Sequence, residues 1–112
     1  MKNTVTLTRN GDFLRLYHRG KSYANPALVV YAQKNRAGIC RIGITVSKKL
    51  GNAVCRNRCK RVIRAAYTNL EPTIRGNYDF VFVARGKTKY VKSTELQSIM
   101  QHLLQKAGAI EI

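Results

Sequence analysis

With 112 residues the chain has room for one core, so residues 1–112 are read as a single domain, and the 45% hydrophobic content argues against a disordered chain. Its 21 Lys and Arg against five Asp and Glu give a formal net charge of +16, which points to a polyanionic partner. No run is apolar and long enough for a signal peptide or membrane helix, and three cysteines form an odd set, so a cytoplasmic protein without membrane contact is expected.

In chain order, residues 10–19 read as a short helix, with Asn10 or Asp12 as cap, Phe13, Leu16 and Tyr17 on its apolar side, and Gly20 as its stop. Residues 27–33 are β-rich, and Pro26 suits a strand entrance. A polar turn at residues 34–38 leads to a second strand over 39–46. Cys40, Ile42, Ile44 and Val46 share one side of it, Ile39, Arg41, Gly43 and Thr45 the other. The short connection predicts an antiparallel hairpin between these two strands. After a loop at residues 47–52 comes a basic helix, with Asn52 as N-cap. Pro72 and Gly76 then mark a break before a third strand at residues 78–84. Residues 94–107 form the last helix, with Leu96, Ile99, Met100, Leu103 and Leu104 at helical intervals and Thr94 with Gln97 as a capping box. The expected fold is therefore an α/β two-layer sandwich of order α-β-β-α-β-α, with a strand–helix–strand crossover around the basic segment.

The basic segment, residues 46–67, carries Lys48, Lys49, Arg56, Arg58, Lys60, Arg61 and Arg64 and no carboxylate. At about 100° per residue, Cys55, Cys59, Val62, Ile63, Ala66 and Leu70 gather on one arc suited to packing on a sheet. Arg56, Lys60 and Arg64 form a column on the remaining arc, with Asn57, Arg58 and Arg61 beside it. Solvated helix faces usually mix signs, since opposite charges four apart stabilise and like charges cost a few tenths of a kcal/mol. A face of one sign is read as a phosphate grip. Cys55 and Cys59 stand at a spacing open to a metal, but no third ligand is near, and both are read as packing residues.

Phe13, Tyr17 and Tyr31 lie outside the densest charge. Single-stranded nucleic acid presents unstacked bases as well as phosphates, and aromatic faces favour the bases. Spacing alone leaves each of the three equally open to a core role. Catalysis by the chain itself has no support: His18 and His102 stand on unrelated helices, and the scattered carboxylates offer no pair for Mg²⁺ or for acid–base work.

The run from Gly51 through Asn52-Ala53-Val54-Cys55-Arg56-Asn57-Arg58-Cys59-Lys60-Arg61 closely resembles the RNR signature of the bacterial ribonuclease P protein subunit. The likeness extends into Val62-Ile63-Arg64, back through residues 42–49, and to Asp12-Phe13, Ala24-Asn25 and residues 79–85. This resemblance implies a ribosomal-protein-S5-domain-2-like sandwich with a left-handed crossover, against the usual right-handed rule. It implies partnership with a catalytic RNA that removes the 5′ leader of precursor tRNA, with no stable protein partner required. It implies Mg²⁺ held by RNA and substrate, not by a dedicated protein site. Carried over by position, Arg56, Asn57, Arg58, Lys60, Arg61 and Arg64 would form the RNA-binding face, and Lys48 and Lys49 would touch phosphates. Phe13, Tyr17 and Tyr31 would line the leader cleft, with Tyr17 standing where the family often has Phe. On charge and fold class alone, an RNA-binding protein of the ribosome or its assembly fits equally well; the RNR run argues against it.

Overall fold

The computed structural model describes residues 3–111. Its elements are β1 (Thr4–Thr6), α1 (Asn10–Arg19), β2 (Lys21–Asn25), β3 (Leu28–Lys34), β4 (Cys40–Thr45), α2 (Ala53–Leu70), β5 (Tyr78–Ala84) and α3 (Ser93–Lys106). Short 3-10 turns occupy Lys48–Leu50, Glu71–Thr73 and Gly86–Tyr90. The α/β character and all three helices match the sequence reading. The expected order is corrected by two further strands, β1 and β2, which lie at the two edges of a five-stranded sheet ordered β1-β4-β5-β3-β2.

The expected hairpin between the two middle strands does not form. β3 pairs with β2 through the two-residue connection Pro26-Ala27, where Asn25 Oδ1 accepts from the Ala27 N–H at 2.9 Å. β5 then inserts between β3 and β4, antiparallel to the first and parallel to the second. The reason is burial: β5, YDFVFVA, is buried along nearly its whole length and takes the centre, where both sheet faces are covered. The parallel pair β4 and β5 is joined through α2, as the crossover reading requires.

Alternation sends Leu28, Val30, Ile42, Phe80 and Phe82 to one face, where α2 and α3 bury them against Ile63, Tyr67, Leu96, Met100, Leu103 and Leu104. Phe80 and Phe82 have no solvent exposure; truncating such rings costs about 3–5 kcal/mol. Tyr67, also fully buried, shares a 2.9 Å hydrogen bond with the Thr4 hydroxyl, tying β1 to α2, and burial pushes its phenol pKa well above the usual range. The opposite face has a much smaller cluster, Leu7, Leu16 and Val81, and is roofed by α1. Among the described residues no helix is long and apolar enough to cross a membrane.

Two expected caps are corrected. Arg9 precedes α1 without a side-chain cap, because Asn10 and Asp12 both lie inside the first turn, where Asp12 pairs with Arg15 at 2.9 Å. Lys92 precedes α3 with no side-chain cap, Thr94 lies inside the first turn, and Gln97 Oε1 accepts from Asn69 Nδ2 on α2 at 2.9 Å in place of the expected capping box. Gly20 does end α1, and a Cβ there would crowd the Leu16 carbonyl.

Candidate nucleic-acid interface

The entry to α2 is fixed by short polar contacts. Ser47 Oγ accepts from the Lys49 N–H at 3.2 Å, and Gly51 turns the chain at φ 139°, a conformation that favours glycine. Asn52 Oδ1 then caps the helix by accepting from the Cys55 N–H at 2.9 Å, as its place before the basic run predicts. From there Cys59, Ile63, Ala66, Tyr67 and Leu70 face the core; Tyr67 is the packing residue that the expected apolar arc lacked.

The outer arc holds Asn57, Arg58, Lys60, Arg61 and Arg64 in solvent, and Lys48 and Lys49 stand exposed on the preceding turn. Arg56 is half-buried, with its Nε sealed from water and without a hydrogen-bond partner among the described residues. No ion pair recorded among the described residues involves a cation of α2: those pairs join Arg15 to Asp12 and Asp79, Arg41 to Asp79, and Arg75 to Glu111. The positive end of the helix dipole adds to this field at Lys48, Lys49 and Arg56.

The two flanks of α2 differ. On one, Arg58 Nη1 donates to the Lys89 carbonyl at 3.1 Å. On the other, Lys60 borders an open groove of about 420 Å³ whose walls include Asn10, Phe13, Tyr17, Thr45 and Val46. Phe13 packs against Gly43, where a Cβ would collide with Cε1 and Cζ of its ring. Tyr17 meets Tyr31 edge-on with ring centroids 5.0 Å apart, and its hydroxyl shares a 3.1 Å hydrogen bond with Thr45. The structure thus brings Phe13, Tyr17 and Tyr31 together with Lys60; Arg58 points away from them, and Arg64 lies a full turn beyond Lys60.

Beneath α1 sits an anchor that periodicity could not reveal. Asp79, 1% exposed, accepts from Arg41 Nε at 2.8 Å and Nη2 at 2.7 Å, from Arg15 Nη2 at 2.7 Å and from Asn35 Nδ2 at 2.7 Å. The hydrogen bonds to Asp79 raise the pKa of Arg41 further, against the opposing effect of desolvation. This cluster clamps α1, and so Phe13 and Tyr17, onto the sheet.

Cys59 is buried and its thiol pKa is raised chiefly by desolvation; the half-buried Cys55 donates to the Leu50 carbonyl at 3.5 Å. His18 and His102 are both exposed. Among the described residues no three of His, Cys, Asp and Glu come together. The sequence reading missed a second basic strip, Arg85, Lys87, Lys89 and Lys92 around an exposed Tyr90, whose signal was the run RGKTKYVK without an acid.

Comparison with known proteins gives one consistent picture. The family model Ribonuclease P matches residues 1–108. The ribonuclease P protein component of Clostridium botulinum (strain Langeland) is 44% identical over 103 residues, covering 91% of this chain and 93% of the relative. The Staphylococcus aureus RNase P protein superimposes with a TM-score of 0.82 at 38% identity, over 95% of this chain and 97% of that one. The Thermotoga maritima RNase P protein gives a TM-score of 0.82 at 30% identity, over 90% and 96%.

Proposed function

The chain belongs to the ribonuclease P protein family and is the protein subunit of that endoribonuclease, working with an RNA subunit; we propose that it grips RNA along the outer face of α2 while the adjoining groove takes the single-stranded 5′ leader of precursor tRNA. One observation supports this division above others: Lys60, on a helix face of a single sign, shares a groove with Phe13 and Tyr17. Cations there meet phosphates while aromatic faces in the same groove meet unstacked bases, a pairing suited to a single strand and not to a duplex.

In this reading Lys48, Lys49, Arg56, Asn57, Arg58, Lys60, Arg61 and Arg64 contact backbone of the catalytic RNA and leader, and Phe13, Tyr17 and Tyr31 line the leader's path. The protein contributes affinity and position. Mg²⁺ is assigned to RNA and substrate; among the described residues Asp12 and Asp79 are engaged by arginines and Glu111 by Arg75, and no three of His, Cys, Asp and Glu come together. Three free thiols suit work in a reducing cytoplasm.

Reconstitution with ribonuclease P RNA at low Mg²⁺ tests the reading. Lys60→Gln or Arg61→Gln is expected to weaken RNA binding and flatten its log–log salt dependence by about 0.7–0.9 per lost phosphate contact. Phe13→Ala is expected to leave that slope unchanged and to reduce the preference for precursor over mature tRNA. Equal loss of affinity for both tRNAs in Phe13→Ala removes the leader assignment.

A further inference from the structure

Cys55 and Cys59 stand one turn apart on α2, both as free thiols and about 40° from each other around the helix axis. Cys59 is 1% exposed, whereas Cys55 is half-buried. The bare backbone of Gly51 leaves room beside the Cys55 sulfur, since a Cβ there would come within 3.2 Å of it. The Cys55 thiol and the Lys89 ammonium both donate to the Leu50 carbonyl, each at 3.5 Å. Burial and then Cys55 raise the Cys59 thiol pKa, while the charges of Arg58 and Lys89 oppose them, so a second sulfur and two cations stand within electrostatic reach of Cys59.

We propose that Cys55 and Cys59 form a two-coordinate site for copper(I), and that filling it weakens the grip of the Arg58 flank of α2 on RNA. The second half rests on the RNA reading of α2; the site itself does not. Helix geometry selects the occupant. Cβ atoms four residues apart lie about 5–6 Å from each other, too far for a disulfide, which needs about 3.5–4.5 Å. An ion held in line by two thiolates at about 2.3 Å each sets the sulfurs about 4.6 Å apart, which that spacing accommodates. Among the described residues no third His, Cys, Asp or Glu joins the pair, which disfavours zinc with its four ligands and cations that need oxygen. Two soft sulfurs and nothing else suit a soft monovalent ion. On binding, each thiol releases its proton to solvent and copper(I) brings one positive charge, so the complex carries one negative charge. That charge lies beside Lys89 and Arg58, whose guanidinium already reaches the Lys89 carbonyl at 3.1 Å. Both cations are drawn inward, and a phosphate on that flank loses part of its partner. Lys60 and the Phe13 groove occupy the opposite flank and are spared.

The test titrates the full chain anaerobically with copper(I) against the chelator bicinchoninate. One copper per monomer is expected, with X-ray absorption showing two sulfur neighbours and no nitrogen or oxygen. Cys55→Ser should abolish binding and Cys40→Ser should retain it, with circular dichroism checking that both variants fold. A third ligand in the absorption spectrum, copper shared between two chains, retention in Cys55→Ser, or zinc bound as tightly as copper would each overturn the site. So would ready formation of a disulfide between Cys55 and Cys59 under mild oxidation, because it would show the turn too pliable for the spacing to select an ion. The effect on RNA is read with ribonuclease P RNA: copper should lower the log–log salt slope by up to about 0.7–0.9, one phosphate contact, in the native chain and not in Cys55→Ser. Preference for precursor over mature tRNA should stay constant. If copper binds as described and the slope does not move, the link to RNA is wrong. If Lys60→Gln and Arg61→Gln are silent in the same assay, the RNA reading of α2 has failed instead.

Discussion

At position 43 the middle of β4 carries no side chain, and the ring of Phe13 fills the space. A glycine inside a strand weakens it, so its presence there marks the close approach of another group. Gly43→Ala forces the Phe13 ring, and α1 with it, away from the sheet. The expected cost is about 1–3 kcal/mol by chemical denaturation, together with reduced precursor preference. Adding Phe13→Leu should recover stability without recovering the preference; recovery of both would show that the ring is not read by RNA. Residue by residue, the exposed cations of α2 were legible because like charges at helical spacing need no knowledge of the fold. Thr45 and Gly43 were not, since what makes them part of the groove is a helix more than twenty residues away in sequence.

Among the elements, α1 depends most on a single polar anchor. It packs few apolar residues, with only Leu16 fully buried, and it is clamped through Arg15 to Asp79. Removing the charge by Asp79→Asn leaves Arg15 and Arg41 facing one another. Because their side chains remain 32% and 30% exposed, the penalty is expected at about 2–3 kcal/mol, below that for a fully buried pair. Amide hydrogen exchange should accelerate in α1 far more than in α3; uniform acceleration would mean that the clamp serves the whole sheet instead. The helices were readable from period and from Asn52. β1 and β2 were not: one has three residues, and the other, KSYAN, is an edge strand with little burial to impose alternation. The hairpin error has the same root, since pairing order depends on which strand needs two covered faces.

For the molecule as a whole, a net charge of +16 on 112 residues works against compactness. Sulfate is expected to raise the melting temperature well beyond chloride at equal ionic strength, and Lys60→Gln with Arg64→Gln should raise the starting value while shrinking the sulfate increment. An identical response to both salts would place the repulsion elsewhere. The strand order β1-β4-β5-β3-β2 adds a temporal consequence. The central strand is the last of the five to leave the ribosome, so the two halves of the sheet have nothing to join them until residue 84 has emerged. Long-range pairing of this kind folds slowly. During synthesis the basic run of α2 is exposed before the strand that secures it exists, and the nascent chain meets cellular RNA as an unfolded polycation before it meets it as a shaped surface.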